Sequence, residues 1–186
     1  MPPYALYIEF NSSGACMAHV PELPGCIVMG KNLTEAVAKA PDAIREYFVW
    51  LRRHGEKGRA PKKIEVRVAD VRKDGPFKRG DRAALFAPDI QPLARAEMQA
   101  LLRRAAYSRA DLLALVRGLP DDVLDWKREQ DSMSVREILR HVGNAEEWYV
   151  SRIVNPKTLP PEWTGDDKLP IFKFLAMERR TAIRRL

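Results

Sequence analysis

Residues 20–37 read Val20-Pro21-Glu22-Leu23-Pro24-Gly25-Cys26-Ile27-Val28-Met29-Gly30-Lys31-Asn32-Leu33-Thr34-Glu35-Ala36-Val37, and the local pattern changes twice inside them. Pro21 and Pro24 fix φ and remove two backbone donors, while Gly25 takes backbone angles closed to other residues, so this stretch predicts a stiff corner. Cys26 to Met29 is a short apolar run with the length of a strand. From Thr34 the apolar positions fall three or four apart: Leu33, Val37, Ala40, Ile44, Tyr47, Phe48 and Leu51 predict one face of a helix, which Gly55 stops. Pro41 lies about two turns inside it, where it removes a hydrogen bond and predicts a kink.

Upstream, Tyr4 to Phe10 alternates strictly, with Tyr4, Leu6, Ile8 and Phe10 on one face, as a half-buried strand does. Asn11 to Gly14 supplies a turn, and Ala15 to Val20 predicts a second strand of an antiparallel meander. Downstream, Ile64, Val66 and Val68 alternate with Glu65, Arg67 and Ala69, predicting a fourth strand that returns to the sheet with one solvated face. The order is βββαβ, an α+β domain whose core includes Ile8, Val20, Val37, Ile44, Phe48 and Val66.

Residues 72–92 are rich in charges and turn formers and hold no sustained period, so they read as a connection. The expected organisation is a domain at 1–72, a linker at 73–92 and a helical domain at 93–186. In the last, Met98, Leu101, Leu102, Ala105, Leu112, Val116 and Leu119 trace a long helix ending at Gly118 and Pro120. A second helix opens at Ser134, with Glu137 as the reciprocal partner of a capping box, and presents Val135, Ile138, Leu139, Val142, Tyr149 and Ile153 inward. A third begins near Pro170, with Phe172, Leu175, Ala182, Ile183 and Leu186 on one side.

With 186 residues, 46% hydrophobic and 31% charged, the composition is that of a folded globular protein. No apolar run reaches the roughly 20 residues of a membrane span, and the N-terminus lacks a signal-peptide pattern, so a cytoplasmic location is expected. Cys16 and Cys26 are too few for a disulfide framework or a thiolate zinc site, and read as small buried hydrophobes. The net charge of +7 is concentrated in residues 51–82, which carry 12 basic and 5 acidic groups. The patch formed by Arg52, Arg53, Lys57, Arg59, Lys62 and Lys63 has the charge to attract nucleic acid or an acidic protein face, but no ordered aromatic platform for stacking bases interrupts it.

The corner Val20-Pro21-Glu22-Leu23-Pro24-Gly25-Cys26, followed by Gly30 and by Leu33-Thr34-Glu35-Ala36-Val37, resembles the HicB-like domain of antitoxins over residues 4–71. That resemblance implies a domain that binds a small RNA-cleaving toxin; the DNA-binding segment that usually follows in that family is missing here. Residues 97–186 resemble the DinB-like helical bundles instead, through the long first helix, the Leu119-Pro120-Asp121-Asp122 corner and Ser134 to Val142 followed by Glu146, Glu147, Trp148 and Tyr149. Many DinB-like proteins are metal-dependent enzymes, including thiol transferases and isomerases, with one histidine on the second helix and a His-x-x-x-His pair on the fourth. His141 matches the first of these ligands; the pair has no match, and the expected bundle holds three helices and lacks the fourth.

One imidazole has little chelate advantage, and a catalytic zinc site normally takes three protein ligands. His19 and His54 lie in the first domain. No catalytic residue is assigned: no nucleophile stands beside a recognisable base, and no glycine-rich phosphate loop is present. The leading expectation is a non-catalytic binding or assembly protein with no cofactor, a toxin-like partner and a homodimeric state that covers the open side of the helices. The alternatives are a DinB-type enzyme with nickel or zinc, completed by a longer chain or a second subunit, and nucleic-acid binding through residues 51–82.

Overall fold

The computed structural model describes residues 2–73, 85–153 and 168–186. It divides into two compact units, Met1–Leu112 and Leu113–Leu186. The first holds strands β1 (Tyr4–Phe10), β2 (Cys16–His19), β3 (Ile27–Gly30) and β4 (Val66–Arg72) and helix α1 (Leu33–Arg53), the βββαβ order read from the sequence. Strand order is β3-β2-β1-β4. The first three strands form the antiparallel meander, and β4 returns parallel to β1, with a register irregularity between Leu6 and Tyr7.

Alternation decides which face is covered. Leu6, Ile8, Cys16, Ala18, Val20 and Val28 pack with Ala36, Ala40, Ile44, Tyr47 and Leu51 of α1, and Val37, Phe48 and Val66 lie against this core. Of the six expected core residues, Ile8, Val20 and Ile44 are in it and Val37, Phe48 and Val66 are partly buried against it. Ile64 is buried just ahead of β4, while Val68, expected inward, is 40% exposed, because β4 is an edge strand and α1 lies chiefly over β2 and β3. The Pro-Gly corner is closed by backbone bonds from Leu23 N–H to the Val20 carbonyl and from Cys26 N–H to the Leu23 carbonyl, with Gly25 at φ +90°. The Tyr47 hydroxyl donates to the Pro24 carbonyl at 2.8 Å, tying the corner to the helix.

Helix α1 begins one residue earlier than Thr34, because Asn32 is its N-cap and accepts from Glu35 N–H at 2.9 Å, while the Glu35 carboxylate accepts from Lys31 N–H at 2.7 Å. The helix runs unbroken through Pro41. A 3-10 turn at Ala87–Ile90 follows, then α2 (Arg95–Val116). The division between units falls inside α2, beyond residue 92, because its residues up to Asp111 are engaged with α1: Trp50 Nε1 donates to Asp111 Oδ2 at 2.7 Å, and the Tyr107 ring stacks on His54 at 4.5 Å.

The second unit contains α3 (Asp121–Asp125), α4 (Val135–Ile153) and α5 (Ile171–Arg185). The capping box forms: Glu137 N–H donates to Ser134 Oγ at 3.2 Å and Ser134 N–H donates to the Glu137 carboxylate at 2.7 Å. Ser134→Ala should therefore lower the stability of this unit by about 1 kcal/mol, read as a shift in its urea midpoint at unchanged slope. Arg136 clamps α3 through Asp121 and Asp125. The helix faces differ from those read by periodicity. On α4 the buried positions are Leu139, Gly143 and Val150, whereas Ile138 and Tyr149 are 46% and 62% exposed. On α5, Phe174, Leu175, Glu178, Thr181 and Ala182 are inward and Ile183 and Leu186 outward. The cause is a notch: a Cβ at Gly143 would come within 2.4 Å of the Phe174 ring, so this glycine sets the line along which α5 lies on α4. The inward side chain expected of Ile153 lies outside the described residues.

Candidate functional site

The strand register places Ile27, His19 and Tyr7 in one row, and Met29, Met17 and Glu9 in the next, on the face of the sheet opposite α1. Ile27 and Met29, on edge strand β3, are 48% and 46% exposed. Toward β1 the face is covered by buried Phe86, which meets the Tyr7 ring edge-on at 5.3 Å and lies 6.1 Å from His19. His19 Nε2 is 2.9 Å from the carboxylate of Glu9, which is only 2% exposed. The sequence reading missed Glu9, because strand alternation assigns it to the solvated side and gives no sign that a later segment folds over it.

The other expected site residues do not converge. His54 is the C-cap of α1, with Nε2 at 3.0 Å from Asp111. The Trp50 indole N–H, and after it His54, hold the Asp111 carboxyl below the usual carboxylate range. This group fastens α2 to α1. His141 lies exposed on α4. Among the described residues no group of three or more His, Cys, Asp or Glu is placed to hold a metal ion. The nickel or zinc site of DinB-like enzymes therefore has no fit here in the described residues. Arg52 and Arg53 end α1, and Lys57, Arg59, Lys62 and Lys63 follow in the connection to β4; all six are exposed, and Lys63 pairs with Glu65 at 2.5 Å. Cys16 and Cys26 are buried free thiols, and burial pushes both up in pKa, Cys26 to about 11, as suits small core residues and not nucleophiles.

In the second unit the unexpected group is Glu178. It is fully buried on α5, and neither carboxylate oxygen has a hydrogen-bond partner among the described residues. Burial, with the charges of Glu147 and then Glu146 on α4, pushes its pKa up to about 7. Glu146 itself pairs with Arg179 at 3.0 Å.

Two family models match this chain, one on each side of residues 78–103. Residues 4–77 match the HicB-like antitoxins of bacterial toxin-antitoxin systems. A curated relative, the UPF0150 protein Ta0767 of Thermoplasma acidophilum, is 39% identical over 54 residues, which are 29% of this chain and 78% of that protein. The chain belongs to the HicB-like family. The HicB-like unit is joined to a second one: residues 104–186 match the DinB superfamily, starting within α2. No solved structure matches the chain. No described helix is long and apolar enough to cross a membrane.

Proposed function

We propose that this chain is a non-catalytic binding protein whose HicB-like unit holds a small toxin-like protein, and whose DinB-like helices serve assembly. The observation that carries the reading is the β3 edge. Among the described residues β3 pairs only with β2, Ile27 and Met29 present apolar side chains to solvent on it, and Lys39 Nζ reaches the Met29 carbonyl at 3.4 Å. Natural sheets usually protect such an edge, and a protein partner that adds to it covers both the backbone and the side chains. The match to antitoxins supplies the kind of partner. The test is co-expression with the small protein encoded by the gene that adjoins this chain's. A stable complex is expected, and Ile27→Asp with Met29→Asp should weaken it at least tenfold. A wild-type chain that neither binds nor neutralises that product would contradict the proposal.

In the assembly role the chain is a homodimer. Trp126, Trp148 and Tyr149 of the second unit are 65%, 47% and 62% exposed, more aromatic surface than a solitary helical unit leaves in water. Light scattering at about 100 μM, far above a micromolar interface constant, should report twice the chain mass. Because no group of three or more His, Cys, Asp or Glu among the described residues is placed to hold a metal ion, elemental analysis of untagged protein is expected to find well under one metal per chain. Near-stoichiometric nickel or zinc that disappears in His141→Ala would favour the enzyme reading instead.

A further inference from the structure

We propose that the basic surface formed by residues 52–62 holds the phosphodiester backbone of a nucleic acid, a role separate from the binding of a protein at the β3 edge. The segment lies within the first unit and runs from the last turn of α1 into the connection that leads to β4. Residues 51–82 carry 12 basic and 5 acidic groups, while the rest of the chain carries 20 of each and is neutral. The whole net charge of +7 therefore belongs to this region.

Ion pairing does not consume this charge. Lys63 pairs with Glu65 and Arg72 with Asp70, but among the described residues Arg52, Arg53, Lys57, Arg59 and Lys62 form no ion pair. Glu56 is the one carboxylate within residues 52–62. Asp111 lies within longer range of Arg53 and is already held by Trp50 and His54. Arg52 and Arg53 end α1, where cations suit the helix dipole. Lys57, Arg59 and Lys62 end no helix, so that explanation does not reach them. Their backbone is also ordered. Gly55 N–H donates to the Arg52 carbonyl and Glu56 N–H to the Leu51 carbonyl, both at 3.0 Å, with Gly55 at φ +85°, which fixes the exit from the helix. A Cβ at Gly58 would touch the Phe48 ring at 3.5 Å, Ala60 packs against the core, and Leu51 and Ile64 are buried at either end. The chain is anchored while its cations stand in water.

What else is exposed there decides the partner. Within residues 52–63 the exposed positions are six cations and the glycines Gly55 and Gly58. A protein interface is built around buried aromatic and aliphatic side chains, with charge depleted at its centre, and this surface has no such side chain to offer. A polyanion needs none. Each cation that meets a phosphate releases condensed counterions, and glycines let a ligand come close to the backbone. Trp50 and His54 are packed on each other and on Tyr107, so this surface meets phosphates and not bases, without sequence preference.

The test is fluorescence anisotropy of labelled duplexes of about 20 base pairs, one of DNA and one of RNA, titrated with the full chain over a range of salt. A Kd of about 10 μM is expected near about 50 mM salt, with log K for DNA falling against log salt at a slope of about −4.5 for five phosphate contacts. The triple variant Lys57→Gln, Arg59→Gln, Lys62→Gln changes only exposed side chains. It should bind at least tenfold more weakly and flatten the slope to about −2. Lys173→Gln, Arg180→Gln, Arg184→Gln removes the same charge from exposed positions of α5 and should stay within about twofold of the wild type. Either duplex bound in this way supports the inference, and the tighter one names the source of the phosphates. Four results would each overturn it: no binding near about 50 mM salt, a slope that the first variant leaves unchanged, an equal loss in the α5 variant, or displacement of the duplex by polyglutamate at equal charge, which would point to an acidic protein instead.

Discussion

Gly30→Ala is expected to destabilise the HicB-like unit by about 3 kcal/mol, near the upper end of what overpacking costs. Gly30 is buried at the end of β3, paired with Cys16, two residues before the N-cap of α1. A Cβ there would come within 2.7 Å of the Ala36 backbone nitrogen, 2.8 Å of the Asn32 carbonyl oxygen and 2.9 Å of Ala36 Cβ. Two of those atoms are backbone, so no rotamer change relieves the contact. Strand and helix start must separate, and the Asn32 cap goes with them. Gly25→Ala is the control: it has open space but a φ of +90°, so it costs only the left-handed penalty of about 1 kcal/mol. Amide exchange across α1 measures both. A Gly30→Ala protein within 0.5 kcal/mol of the wild type would mean that strand and helix do not meet as closely as described.

The second large effect depends on pH. Glu178 carries a raised pKa of about 7 in the folded chain against an ordinary 4.5. Between those values the native state keeps a proton that the unfolded state has released, so stability falls as pH rises through this window and the full penalty is present above pH 7. The whole shift corresponds to about 3 kcal/mol, and relaxation and water screening cut it to about 1.5 kcal/mol. Glu178→Gln, which matches the neutral acid in shape, should therefore stabilise the DinB-like unit by about 1.5 kcal/mol at pH 8 and change little at pH 4.5. Thermal unfolding at the two pH values reads the difference directly. A gain that is the same at both would show that Glu178 is not the titrating group.

The βββαβ unit was legible because its rules are local. Strand alternation, two prolines with a glycine, and a change of period at Thr34 each act over a few residues, and burial in the structure follows them. The helical unit was less legible for a physical reason. Periodicity ranks faces by side-chain hydrophobicity, but the α4–α5 contact is centred on Gly143, which has no side chain and admits the Phe174 ring, and it buries Glu178 and Thr181. Ile138, Tyr149 and Ile183 are the apolar residues that this choice of face leaves outside. The Glu9–His19 pair was not legible for a different reason: alternation puts Glu9 on the solvated side, and only the approach of Phe86 to Tyr7 and His19 covers that face. His141 shows the converse: its place in a recognisable run was clear, but the run says nothing of the partners a ligand needs.

The most direct measurement of the proposed binding role is the native mass of the full chain co-expressed with the small protein encoded by the adjoining gene, taken with the wild type and with Ile27→Asp, Met29→Asp. The account predicts a complex containing both proteins for the wild type and free chain for the variant, with the variant's own fold intact by circular dichroism. Free wild-type chain, or a complex that survives both aspartates unchanged, would contradict it.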